Sequence, residues 1–133
     1  MFHVVRRDAL EYLTADALAG SVHCFSTRFG GVSEGMLASL NLGTHRGDSP
    51  ENVRENYEIL GKAVGFLPEQ TVFTKQQHTA IVAPATRADC GTGLLRERED
   101  VCDALVTNEP GAALVCFAAD CTPVLLYDPV ARA

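Results

Sequence analysis

The side chains in this sequence with the most chemical potential are thiols and imidazoles. Cys121 follows Asp120 where an apolar run breaks, in A-A-D-C-T-P-V-L-L-Y (residues 118–127). A thiol at a strand end has a route to solvent or to a metal that a mid-strand thiol lacks. The competing reading is a small buried hydrophobe, the common fate of a free cysteine. Cys24 and Cys116, inside apolar runs, fit that second role, and Cys90 and Cys102 have no marking neighbour. His78 stands in K-Q-Q-H-T (residues 75–79), in polar company at a strand end, as a site residue or a hydrogen-bonded loop histidine. His45 lies in a glycine-rich loop, where it either contacts a ligand or caps a turn. His23, in an apolar strand, and His3, near the N-terminus, read as structural or solvated.

The five cysteines are an odd number at irregular spacing, so reduced thiols are expected rather than a disulfide framework. No C-x-x-C or H-x-x-x-H occurs, which removes the local zinc-finger, thioredoxin and zincin signatures. Any metal site must draw on distant segments. Glycine-rich phosphate loops and the G-x-S-x-G nucleophile elbow are absent too, and the Gly30-Gly31 doublet is a weak signal alone.

The elements that must position these residues are short. Residues 21–27 are β-branched and aromatic and read as a strand that runs into a loop at Gly30 and Gly31. The loop continues to Asp48, long enough to suggest function. A helix follows. Ser49 is a good N-cap, Pro50 suits the first helical position, and Glu51 meets the positive end of the dipole. Val53, Tyr57, Leu60 and Val64 then share one face, and Gly65 can close the C-terminus. Residues 71–74 and 80–83 read as strands around His78. Residues 86–100 form a polar loop or short helix with the mixed-charge run R-E-R-E-D, read as solvated. Residues 102–106, 112–119 and 124–127 read as strands, with a turn at residues 108–111.

Composition sets the class. Apolar residues make up 47% and charged residues 21% of 133 positions, values ordinary for a globular core, and the length suits one domain. The net charge of −6, with no Lys/Arg cluster, argues against nucleic-acid binding through phosphates. No apolar run approaches the roughly 20 residues of a membrane helix, and the first residues lack a signal-peptide pattern. The expectation is a soluble, cytoplasmic protein with a small-molecule or protein partner.

Four motifs in order carry a resemblance. F-S-T-R-F-G-G-V-S-E-G-M-L-A-S-L-N-L-G-T-H-R-G-D (residues 25–48), K-Q-Q-H-T around His78, D-A-L-V-T (residues 103–107) and A-D-C-T-P-V-L-L-Y-D (residues 119–128) resemble the YfiH family, from about His23 to the end of the chain. That family carries an older label of multicopper polyphenol oxidoreductase or laccase, and is understood as purine nucleoside phosphorylases with adenosine deaminase activity. The resemblance implies an α+β fold, a mixed β-sheet core with flanking helices, here a single YfiH-like domain truncated over residues 1–133. It implies that His78 and Cys121 match the family's histidine and cysteine zinc ligands, and so its catalytic residues. A catalytic zinc takes about three protein ligands. The family's remaining histidine belongs to an H-A-G-W-R-G motif that would fall past Ala133. Two departures stand out: Leu37 replaces the usual aromatic before S-L-N-L-G, and Thr79 replaces a glycine after His78.

By resemblance, one site would run two reactions, on adenosine and inosine with methylthioadenosine a third candidate: attack of inorganic phosphate on ribose C1′, and attack of a zinc-bound water on adenine C6. Arg28 and His45 are the candidate phosphate or ribose contacts, with Asn41 orienting their loop and Asp120 behind Cys121. With the third ligand outside the sequence, the isolated chain is expected to be weakly active or inactive and to associate with a missing C-terminal half. Two alternatives are a copper-dependent polyphenol oxidase and a non-catalytic fragment. Four scattered histidines with no H-x-H pair disfavour a multicopper cluster.

Overall fold

A computed structural model describes residues Met1–Ala133. The chain divides into two compact units, Met1–Leu67 and Pro68–Ala133. Strand pairing is antiparallel in the first and parallel in the second, which with one α-helix gives an α+β chain.

The first unit opens with a hairpin of β1 (Phe2–Arg7) and β2 (Leu10–Ala15), to which β3 (Phe25–Ser26) adds antiparallel. The alternation along β2 turns Leu10 and Tyr12 inward, where they pack with Leu40 and Leu60. The α-helix α1 (Pro50–Val64) takes the expected bounds. Ser49 Oγ accepts the Asn52 N–H at 3.1 Å, and Gly65 closes the helix at φ +111°. Val53, Tyr57 and Leu60 form its buried face.

The strand expected over residues 21–27 is much shorter. The His23 ring accepts the Ala15 N–H through Nε2 at 2.9 Å, so a side chain takes the donor that a neighbouring strand would have used. Only Phe25 and Ser26 complete the pairing.

In the second unit β4 (Thr71–Phe73) pairs with β7 (Ala113–Val115), and β5 (Val82–Pro84) with β6 (Ala104–Val106). A bridge between Lys75 and Cys102 lies between them in sequence. Thr71, Val72 and Phe73 are buried, and Phe73 meets Phe117 edge to face at 5.2 Å. The polar stretch after residue 86 forms a 3-10 turn, Arg87–Asp89, with Thr86 and Asp89 capping each other. Residues 124–127 do not form the expected strand. No strand of the chain pairs with them, and Val124 and Leu126 stand exposed; an apolar run needs a ladder partner to become a strand. For the same reason the runs 102–106 and 112–119 pair over only three residues each.

Candidate functional site

In the first unit the glycine-rich loop is organised by polar side chains from the helix. Asn56, fully buried, accepts the Val32 N–H at 2.8 Å and donates to Ser33 Oγ at 2.8 Å and the Asn41 carbonyl at 2.7 Å. Asp48 accepts from Ser33 Oγ, Asn41 Nδ2, Asn52 Nδ2 and the Ser49 N–H, at 2.6 to 3.0 Å. Those donors, Ser33 first, hold its carboxyl at about 2, well below the ordinary value. Backbone packs closely here. A Cβ at Gly31 would overlap Asn56, the Ser39 carbonyl and Leu40, which explains one member of the doublet.

The candidate binding residues of this loop take distinct places. Asn41 bonds Asp48 and, within its own turn, Gly43 in both directions, so it orients the loop. The exposed Arg28 guanidinium donates to the Ala38 carbonyl at 2.6 and 2.8 Å and to the Met36 carbonyl at 3.4 Å, closing the loop on itself. His45 is exposed on a turn.

In the second unit His78 lies on the turn between β4 and β5, exposed and at φ +57°. Asp103, just before β6, holds that turn. Its Oδ1 accepts the His78 N–H at 2.8 Å, and its Oδ2 accepts the N–H groups of Gln77 and Thr79 and the Thr79 hydroxyl at 2.7 Å. Threonine in place of glycine at position 79 thus adds a donor. These bonds, Thr79 first, hold the Asp103 carboxyl at about 2. Gln76 reaches the other way: Oε1 accepts the Phe117 N–H at 2.9 Å and Nε2 donates to the Phe117 carbonyl at 2.8 Å. Phe117 begins the irregular segment that carries Asp120 and Cys121, both exposed. Cys116 is exposed as well, against the buried role its sequence suggested, while Cys102 is fully buried and Cys24 partly so. Burial pushes the Cys24 thiol up to about 11.

A polar hollow of about 390 Å³, lined by Asp89, Arg96, Arg98 and Asp100, contains none of the candidate residues. Its cations are engaged locally: Arg96 bonds Thr92 and the Ala88 carbonyl, and Arg98 the Asp100 carbonyl.

Imidazole and thiolate are donor types that zinc takes, but a catalytic zinc needs about three protein ligands. No three His, Cys, Asp or Glu side chains come together as a metal-holding group. The residues of this chain therefore do not complete a zinc or copper centre. Sequence reasoning missed Gln76 and Asp103 as residues that act on the His78 turn, although both stand inside the motifs it singled out.

Residues 22–133 match the family model described as multi-copper polyphenol oxidoreductase laccase, a stretch that contains all five candidate residues. A purine nucleoside phosphorylase of Corynebacterium glutamicum is 40% identical over 78% of this chain and 41% of its own. The purine nucleoside phosphorylase YfiH of Escherichia coli is 42% identical over 80% of this chain and 40% of its own. Among solved structures, the YfiH protein of Bacillus licheniformis superposes with a TM-score of 0.84 at 31% identity, covering 94% of this chain and 48% of the other. YlmD of Geobacillus stearothermophilus gives 0.78 at 34% identity, covering 89% and 45%. The chain spans less than half the length of these relatives. No helix is long and apolar enough to cross a membrane.

Proposed function

Because the chain belongs to the YfiH family, the one described as multi-copper polyphenol oxidoreductase laccase, we propose that it serves the phosphorolysis of purine nucleosides. The observation that carries this is the identity of about 40% to relatives named purine nucleoside phosphorylase. Inosine and adenosine are the substrates of this reading, with methylthioadenosine a third candidate. A phosphate oxygen bonds to ribose C1′ as the bond from C1′ to the purine nitrogen breaks. The electron pair leaves with the purine, which takes up a proton, and ribose 1-phosphate is the second product. Positioning of the two reactants and stabilisation of the developing charge supply the catalysis.

Arg28 and His45 are the proposed phosphate or ribose contacts, and Asn41 the residue that sets their loop. His78 and Cys121 are proposed as two donors toward a zinc ion, with copper the alternative, and the remaining donor lies outside these residues. Adenosine deamination is a second proposed activity. Both units are proposed as parts of one family domain, since the family model runs across their junction. A C-terminal half like that of the relatives is the proposed partner and the cytoplasm the proposed compartment. Inosine breakdown tests the reading. With a C-terminal half like that of the relatives supplied, base release that requires inorganic phosphate supports it; release without phosphate, or none, counts against it.

A further inference from the structure

We propose that Gln76 and Asp103 are positioning residues, which together hold the His78 turn and the segment leading to Cys121 in one fixed arrangement. The inference rests on the reading above, that His78 and Cys121 serve one site.

Two sets of bonds converge on one short turn. Backbone pairing between β4 and β7 ends at Phe73 and Val115, and the Thr74 N–H extends it by one bond to the Val115 carbonyl at 3.0 Å. Beyond that point the turn carries the backbone away. The Gln76 amide then takes the place of a strand residue, satisfying the Phe117 N–H and carbonyl at once, while Thr74 Oγ1 donates to Gln76 Oε1 at 2.9 Å and fixes the amide's orientation. A side chain two residues before His78 is thereby locked to backbone four residues before Cys121. On the other side, Asp103 gathers three successive N–H groups, Gln77 to Thr79, on one carboxylate. That arrangement stabilises the left-handed backbone of His78, a conformation unfavourable for a residue with a Cβ. Gln76, the Thr79 hydroxyl and the turn itself are exposed, where such bonds add little to global stability. Their effect is local: they define where the imidazole and the thiol segment sit, as groups behind a functional shell do.

The test uses the full 133-residue chain and two variants, Gln76→Met and Asp103→Asn. The readouts are thermal unfolding, amide exchange at Phe117, the His78 ring signals by NMR, and the rate of Cys121 alkylation by iodoacetamide. Gln76→Met should speed Phe117 exchange at least about tenfold by opening that segment locally. It should also change the Cys121 alkylation rate, with little change in the melting temperature. Both variants should shift the His78 ring signals, and Gln76→Glu, which keeps the acceptor, should restore part of the Phe117 protection. Variants that match the wild type in all three local readouts would overturn the proposal. If Asp103→Asn does not fold, Gln76→Met decides alone. Phosphorolysis separates the two claims: a wild-type chain that ignores inosine and phosphate even with a C-terminal half like that of the relatives supplied removes the functional reading, while exchange and alkylation still judge the clamp.

Discussion

Asn41 donates through Nδ2 to Asp48 Oδ2 at 3.0 Å, and this bond ties the glycine-rich loop to the start of α1. Asp48 also takes the Ser49 N–H and the Asn52 side chain, so one carboxylate serves both the loop and the helix N-terminus. Negative charge there also complements the helix dipole. The loop's shape is therefore coupled to the ionisation of Asp48.

That coupling has a direction in pH. The folded carboxyl is held at about 2, against about 3.9 for an unperturbed aspartate in the unfolded chain. A depressed folded value contributes stability that is fully present above pH of about 4 and is lost as pH falls toward 2. Thermal melts between pH 2 and 6 should show Asp48→Asn less stable than wild type at pH 6, with the gap narrowing in acid. A gap independent of pH would contradict the assignment.

Asn56 is the buried counterpart. Asn56→Ala strips partners from the Val32 N–H, Ser33 Oγ and the Asn41 carbonyl and leaves a void beside Gly31. Each buried group left unsatisfied costs about 1–3 kcal/mol, so denaturant unfolding should register a loss at the upper end of that range or beyond. A change below about 0.5 kcal/mol would mean that the network is not what shapes the loop.

How much of this was legible in the sequence differs by element. The α1 bounds were readable because every signal was local: Ser49, Pro50, the apolar face and Gly65 all lie within a few turns. The β1–β2 hairpin was legible in principle from the alternation of Leu10 and Tyr12, but its turn at Asp8, with φ +53°, is not a glycine and gave no warning. The shortened β3 depended on the His23 ring reaching Ala15, which no pattern announces. At the candidate site His78, Cys121 and their motifs stood out, whereas the bonds around them join residues about 25 and 41 positions apart, His78 to Asp103 and Gln76 to Phe117. Local periodicity carries no trace of such pairings.

Metal chemistry gives a further check. Cobalt(II) added to the chain should produce a sulfur-to-cobalt charge-transfer band that is absent in Cys121→Ser and weakened in His78→Ala. The affinity should be low, since no three metal-donor side chains come together in the chain. A band unchanged in Cys121→Ser would assign the thiolate to another cysteine, with the exposed Cys116 the first to examine.

The central claim is that His78 and Cys121 belong to a site for phosphorolysis of purine nucleosides. The most direct measurement incubates the chain, together with a C-terminal half like that of the relatives, with inosine, with and without inorganic phosphate, and quantifies hypoxanthine and ribose 1-phosphate together. Release from the completed pair should give the two products in equal amounts, depend on phosphate and be abolished in both His78→Ala and Cys121→Ser. Free ribose in place of ribose 1-phosphate, or release that survives both substitutions, would contradict it.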